Sequence, residues 1–268
     1  MRYGIVMKYR IIIVVVVITC LVFSLSPSRE GITVCDVGQG DASIINLGTE
    51  GLIISDCGPD DKILSCLAGE IGYWKKDISA LIISHPHADH FSGCFSLLER
   101  YQVRKIFVSS APVNDPGYAE FITLAKEQGV SVSVPASGDE LVFSQECRLR
   151  FLRTSYEGNN LNNFSLGFKF VCGGTSFLSL GDLEKEEELS LSGDLSADIL
   201  KVSHHGADTS SAIKFLEKVS PRIAIISVGE NNRYGHPAVA TLENLTRLSA
   251  LIWRTDIKGA FNFFADFR

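Results

Sequence analysis

The chain lacks any excess of positive charge: 25 Lys and Arg stand against 31 Asp and Glu, for a net charge of −6. This excludes a protein that grips nucleic acid along a broad basic face, because such binding rests on many cations neutralising phosphates. Cys-x-x-Cys pairs are also missing. The seven cysteines, Cys20, Cys35, Cys57, Cys66, Cys94, Cys147 and Cys172, follow no regular spacing. They therefore do not form a zinc knuckle or read as a disulfide framework, and the expectation is ordinary small core residues. There is no low-complexity segment and no short-period repeat, so a solenoid is not expected. Histidine is scarce, with only six in the chain, and that scarcity makes their positions informative.

At the N-terminus, Arg2, Lys8 and Arg10 precede an apolar run from Ile11 to Leu25 broken only by Thr19 and Ser24. A basic stretch followed by an apolar one is what membrane-insertion machinery reads. The run is long for a cleaved signal peptide and short of the roughly 20 residues that span a bilayer comfortably. Cleavage after Ser26 would leave Pro27 first, and cleavage after Ser28 fits the small-residue rule only loosely. Residues 1–28 are therefore expected to form a hydrophobic helix that acts as an uncleaved signal anchor, with a cleaved signal peptide as the alternative. The basic residues keep the N-terminus cytoplasmic and place residues 29–268 outside, at the cell membrane, or secreted if cleavage occurs. Setting the segment aside removes three positive and no negative charges, taking −6 to −9. The remaining length suits one catalytic domain.

Short β-rich runs follow at Gly31 to Val37, Ala42 to Leu47 and Gly51 to Ser55, separated by Gly-rich turns, which reads as consecutive antiparallel strands. A helix near Asp60 to Ile71 leads to the apolar strand Ser79 to Ser84, then a helix over Ser92 to Tyr101 and a strand over Lys105 to Ser109. Another helix near Tyr118 to Gln128 precedes Val130 to Val134. Further strands fall near Glu140 to Phe143, Arg148 to Arg153, Ser165 to Val171 and Ser176 to Ser179. Ile199 to Val202, the helix Ala212 to Val219 and the strand Ile223 to Val228 repeat the strand-helix alternation. Each half gives strands first and then alternation, predicting two sheets packed face to face with helices outside.

Three of the six histidines fall within His85-Pro86-His87-Ala88-Asp89-His90, directly after the buried strand. Imidazoles two apart in an extended loop point to one side and close on one metal. Asp89 and His90 supply a carboxylate and a third imidazole for a second ion nearby. A rigid strand presenting the loop, and the interleaved Asp, set this apart from a surface His-rich loop.

This motif resembles the His-x-His-x-Asp-His signature of the metallo-β-lactamase superfamily. Leu52 to Gly58 resembles the early strand ending in Asp-x-Gly, Leu180-Gly181-Asp182 the strand end that supplies a bridging aspartate, and Ser203-His204-His205-Gly206 the late histidine motif. The resemblance implies an α/β fold, the four-layer αβ/βα sandwich, over residues 29–268. It also implies two divalent ions at one rim, held by His85, His87, Asp89, His90, Asp182 and His205, with Asp56 orienting a metal-binding histidine. His204 and His205 are adjacent, so one is expected to bind metal and the other to face substrate; His205 is taken as the ligand. His236 reads either as a plain turn histidine or as a group that holds phosphate or protonates a leaving group, alongside Asp89 and His204 in catalysis.

Within the superfamily, Asp36 to Ala42, Lys201 to Gly206 and Val228 to Pro237 are similar to the hydrolase domain of ComEC-type competence proteins, from about residue 31 to 264. The multi-helix channel of those proteins is missing. Asp36 and Asp41 read as caps of a Gly-rich turn. Where most superfamily members carry a histidine before the middle strands, this chain has Asn159 to Leu166. Asn162 or Asn163 then offers a carbonyl oxygen or leaves the place to water, and such an oxygen-rich site tolerates Mn²⁺ as readily as Zn²⁺.

The resemblance implies a phosphodiesterase acting on DNA outside the cytoplasm, with a DNA-uptake channel protein as a possible partner. A second reading keeps the site and replaces DNA with a cell-wall phosphocholine-type diester, whose quaternary amine needs an aromatic cage; Tyr156, Tyr234 and Trp253 are available. A lactonase or β-lactamase is disfavoured by the absent middle histidine. A third reading is a non-catalytic, membrane-tethered uptake module with structural metals. Oligomeric state is not legible from these residues.

Overall fold

The computed structural model describes residues 10, 12–16, 30–71 and 75–265. Strands β1 (Gly31–Val34), β2 (Ala42–Asn46) and β3 (Leu52–Cys57) pair antiparallel in succession, as their Gly-rich turns demand. The chain then passes through the helix Lys62–Glu70 and the two-residue β4 (Asp77–Ile78) into β5 (Ala80–Ile83), which adds parallel to β3. The helix Cys94–Arg100, β6 (Gln102–Val103), β7 (Lys105–Val108), the helix Pro116–Glu127 and β8 (Ser131–Ser133) continue the parallel series. The Pro116–Glu127 helix starts where Asp115 accepts from the Tyr118 amide at 2.7 Å, with Pro116 supplying the preset first turn.

The second sheet repeats the plan. Strands β9 (Glu140–Val142), β10 (Arg148–Leu152), β11 (Gly167–Cys172) and β12 (Thr175–Ser179) are antiparallel. Strands β13 (Ile199–Lys201), β14 (Ile223–Ile226) and β15 (Leu251–Arg254) then add parallel. The last strand, β16 (Phe261–Phe264), returns to the first sheet beside β1. The orders are β16-β1-β2-β3-β5-β7-β8 and β15-β14-β13-β12-β11-β10-β9.

Two-residue periodicity explains how runs with no polar alternation become strands. In β3, Ile53 faces the other sheet among Ile45, Phe107 and Phe168, while Leu52 and Ile54 pack under the helices with Leu67 and Leu97. In β5, Ile82 takes the first face and Leu81 and Ile83 the second. Helices outside the second sheet cover Leu178, Leu200, Ala224 and Ile226 with Phe215, Leu216 and Leu245. The result is helix, sheet, sheet, helix: the expected αβ/βα sandwich.

Two expectations need comment. Six of the seven cysteines are more than packing residues, because Cys35–Cys66, Cys57–Cys94 and Cys147–Cys172 form disulfides, while Cys20 lies outside the described residues. Their partners lie 25 to 37 residues apart and meet only through sheet pairing and helix docking, so spacing gave no sign of them. Arg148 opposite Val171, for example, brings the flanking Cys147 and Cys172 together. The N-terminal helix expected over residues 1–28 lies mostly outside the described residues. Within it, Arg10 and residues 12–16 are helical and exposed. Among the described residues no helix is long and apolar enough to cross a membrane.

Candidate metal centre

The site forms where strand ends from both sheets converge. His85 follows β5, and His90 lies in the helical turn Ala88–Phe91. Asp56 lies at the end of β3, Asp182 follows β12, and His204 and His205 follow β13. Both late histidines adopt left-handed backbone, φ 52° and 53°, a conformation that costs of order 1–3 kcal/mol per residue and persists only where surroundings enforce it. The turn closes on Gly206 at φ 78°, where a Cβ would lie 2.8 Å from Pro237 Cβ, so only glycine fits. Its effect is to send the two adjacent side chains apart: His205 is buried and His204 faces the cleft rim.

Three imidazoles surround one carboxylate oxygen. Asp182 Oδ2 lies 3.3 Å from His90 Nε2, 3.6 Å from His205 Nε2 and 3.9 Å from His85 Nε2. Asp89 Oδ2 lies 3.4 Å from His205 Nε2 and 4.0 Å from His90 Nε2, and His87 Nδ1 lies 2.9 Å from His85 Nε2. Among the described residues three sets lie close enough to hold a cation: His85, His90 and Asp182; Asp89, His90 and His205; and Asp41, Asp56 and His90.

The outer nitrogens are anchored. His90 Nδ1 lies 3.1 Å from Asp56 Oδ2, and the other Asp56 oxygen accepts from the Ser84 amide at 2.8 Å. His205 Nδ1 faces the Ser227 carbonyl at 2.9 Å, and His85 Nδ1 the Ser84 hydroxyl at 3.0 Å. Anchoring one ring nitrogen fixes the tautomer and points the other inward.

The inward atoms fit a metal. His90 Nε2, His205 Nε2 and Asp182 Oδ1 are buried without a hydrogen-bond partner, an arrangement that costs free energy unless a cation completes it. Electrostatics agrees: burial disfavours a charged His90 ring, yet Asp182 and Asp56 raise its pKa well above the ordinary value. For Asp89, burial is likewise overcome by the neighbouring His205 ring, which holds the carboxyl low. The pocket calls for positive charge, and imidazole with carboxylate is a donor set that suits Zn²⁺ or Mn²⁺.

The remaining predicted residues separate. Asn162 lines the cleft, its Nδ2 3.3 Å from His204 Nε2 and its Oδ1 buried without a partner. Asn163 turns away, accepting from the Glu184 amide at 3.0 Å. His236 shares the cleft with His204, ring centroids 5.8 Å apart, and burial lowers the pKa of both. The cleft, of about 350 Å³, is lined by Gln39, His87, Asp89, Asn162, His204 and Tyr234 among others. Tyr156 packs instead on Phe164, and Trp253 donates to the Gly259 carbonyl beside Phe261, so no aromatic cage of the three forms.

Sequence reasoning missed three residues. Asp36 does cap its turn, accepting from the Gly38 amide at 3.3 Å, but Asp41 does not merely cap. It is buried with Oδ1 3.5 Å from His205 Nδ1, and its Oδ2 contacts Lys201 Nζ. Gly40 allows this, since a Cβ there would collide with the Asp89 carbonyl. Lys201 is itself buried, its Nζ donating to the Gly181 carbonyl at 3.2 Å and lying 3.8 Å from Asp182 Oδ1.

The third is Glu188, whose oxygens accept from the Ser211 and Ala212 amides at 3.0 and 3.1 Å, opening the helix Ile213–Val219. Burial pushes its carboxyl up to about 7 from 4.5. A raised folded-state value favours the protonated form in the fold, so this contribution to stability is full below pH 4.5 and is lost as pH rises through 7. The loss amounts to roughly 3 kcal/mol. Urea unfolding across this range should show a steeper fall for wild type than for Glu188→Gln; equal slopes would contradict this reading.

An αβ/βα sandwich with a His/Asp cluster at its strand ends defines a metallo-β-lactamase-fold hydrolase. A family model described as Metallo-beta-lactamase superfamily matches residues 35–230, and the chain belongs to that superfamily. Its curated relatives include competence proteins, in line with the motif resemblance. It is 31% identical over 262 residues to ComE operon protein 3 of Bacillus subtilis (strain 168), covering 88% of this chain and 33% of that protein. It is 29% identical over 244 residues to competence protein ComA of Neisseria gonorrhoeae, covering 88% of this chain and 33% of that protein. The chain thus spans about a third of the length of these relatives. Among solved structures, the metallo-beta-lactamase fold protein YhfI from Bacillus subtilis superposes with a TM-score of 0.60 at 14% identity, covering 87% of this chain and 100% of that one.

Proposed function

We propose that the chain is a two-metal phosphodiesterase that hydrolyses DNA outside the cytoplasm. The observation that carries this is the convergence of the partnerless His90 and His205 Nε2 atoms on Asp182 at the floor of an open cleft. A structural site is usually closed by four ligands, whereas this one faces space for a substrate. In this reading His85, His87 and Asp182 hold one ion, and Asp89, His90, His205 and Asp182 hold the other. Asn162 stands where a further histidine is usual. Two divalent ions bound there supply Lewis acidity for a phosphoryl oxygen and lower the pKa of a water.

The protein's own groups do the rest. Asp89 helps orient the attacking water in line with the leaving oxygen. His204, facing the rim, holds a phosphoryl oxygen, and His236 delivers the proton to the leaving oxygen. The competence-protein relatives favour DNA over other diesters, and the dispersal of Tyr156 and Trp253 disfavours a phosphocholine ester. Comparing turnover of bis-p-nitrophenyl phosphate, p-nitrophenyl phosphorylcholine, single-stranded DNA and nitrocefin, with and without EDTA, tests the assignment. EDTA-sensitive cleavage of the DNA and the simple diester is expected; turnover of nitrocefin or the choline ester alone would overturn it.

We place the catalytic domain outside the membrane, anchored by the N-terminal segment and working beside a DNA-uptake channel protein. Three disulfides support an oxidising compartment. An alkaline phosphatase fusion after Ser28 should be active and resist carbonate extraction; a fusion active only in the cytoplasm would refute this placement.

A further inference from the structure

The segment Val228 to Pro237 forms one wall of the cleft, and its side chains are arranged for a ligand that hydrolysis itself does not require. Asn232 closes the loop with three hydrogen bonds: its Nδ2 donates to the Gly229 and His236 carbonyls at 3.2 and 2.8 Å, and its Oδ1 accepts from the His236 amide at 3.0 Å. Gln39 reaches across from the first sheet to accept from the Gly229 amide at 3.2 Å. This loop holds Tyr234 out from the surface, 57% exposed, yet stacked on His236 with ring centroids 5.8 Å apart and planes 15° from parallel. The exposed Arg233 places its guanidinium over the Tyr234 ring, 5.5 Å from the centroid. A large aromatic ring left in water costs free energy. Here it is fixed by a clasp, at the mouth of the cleft that Asp89 and Asp182 line.

Resting on the phosphodiesterase reading, we infer that Tyr234 is a stacking platform for an unpaired nucleobase next to the scissile phosphodiester, with the Arg233 guanidinium, which lies over the ring in the free protein, giving way to the base and meeting the neighbouring phosphate. Three observations select this ligand class. An exposed flat ring in cation–π contact with a guanidinium is the pairing used to stack bases in single-stranded nucleic acid binding. The same guanidinium repels a quaternary amine, which in any case needs several aromatic faces, and the cleft offers one. The net charge of −6 leaves little capacity for holding a polyanion along its backbone, so discrimination has to come from the base. A base within a duplex has both faces covered and cannot lie on Tyr234. The platform therefore selects single strands, frayed ends or flipped nucleotides.

The test uses the full chain loaded with Mn²⁺ and two fluorescein-labelled, phosphorothioate-linked dodecamers, one of thymidines and one of abasic sugars, with binding read by anisotropy. Tyr234→Leu should bind the thymidine oligomer roughly 5- to 150-fold more weakly than wild type, and Tyr234→Trp should restore binding, which shows that the loop still folds. On the abasic oligomer the wild-type advantage should collapse towards one. Equal weakening on both oligomers, no weakening on either, or a wild type that binds neither would overturn the platform. Turnover of bis-p-nitrophenyl phosphate is scored separately. Cleavage without a thymidine preference removes the platform and leaves the phosphodiesterase; a thymidine preference without any cleavage does the reverse.

Discussion

Asp182→Ala should reduce phosphodiester turnover to near background, and no excess of Mn²⁺ should restore it. One Asp182 oxygen lies within 3.9 Å of the Nε2 atoms of His85, His90 and His205, so it belongs to both halves of the proposed site. Without it, two cations would face each other across a gap of a few ångströms, where each pair of unit charges repels by roughly 4 kcal/mol at the effective dielectric of a protein surface. His90→Ala should resemble it, because every candidate cation set includes His90, whose Nε2 lies 3.3 Å from Asp182 Oδ2. Asn162→Ala should be milder. Its side chain lines the cleft and touches His204, and a neutral amide is a weaker metal ligand than imidazole or carboxylate, so a loss of roughly 10- to 100-fold, partly rescued by excess Mn²⁺, is expected. Steady-state rates on a simple diester should rank wild type, Asn162→Ala, then the two severe variants. Near-wild-type turnover by Asp182→Ala would refute the assignment.

The second large effect concerns folding. Lys201→Ala should destabilise the metal-free protein by roughly 3–5 kcal/mol, the usual cost of removing one partner from a buried ion pair. Burial lowers the Lys201 pKa to about 7, and its Nζ contacts the buried Asp41 carboxylate. Deleting the lysine leaves Asp41 and Asp182 buried without their cation. The double variant Lys201→Met with Asp41→Asn should recover most of the loss, since replacing both partners removes the stranded charge. Urea unfolding of the single and double variants measures this, and a single-variant change within about 0.5 kcal/mol, typical of neutral surface sites, would contradict it.

How much of this was legible in the sequence depended on how local the cause was. The cluster His85 to His90 stood out because histidine is rare here and a buried strand precedes it. The strands β1 to β3 followed from apolar runs between Gly-rich turns. Lys201 was illegible for the opposite reason: nothing local to the strand Ile199 to Val202 marks its lysine as paired, and its partner Asp41 is 160 residues away. Glu188 was hidden among identical neighbours in the run Glu184 to Glu188, where Glu186 is exposed and only the turn geometry buries Glu188. The helix Val239–Arg247 and strands β15 and β16 escaped the pattern reading; β15 keeps no fully buried residue and β16 alternates with exposed Asn262 and Phe264. Asn162 and Asn163 are adjacent and chemically identical, and only the short helical turn Leu161–Phe164 decides that the first faces the cleft and the second faces Glu184.

The central claim is that six side chains gathered from both sheets hold two cations. Elemental analysis of the folded protein, after loading with Mn²⁺ or Zn²⁺ and exhaustive dialysis, tests it most directly. The account predicts close to two ions per chain, removed together with activity by EDTA. One ion or none in a folded, active preparation would contradict it.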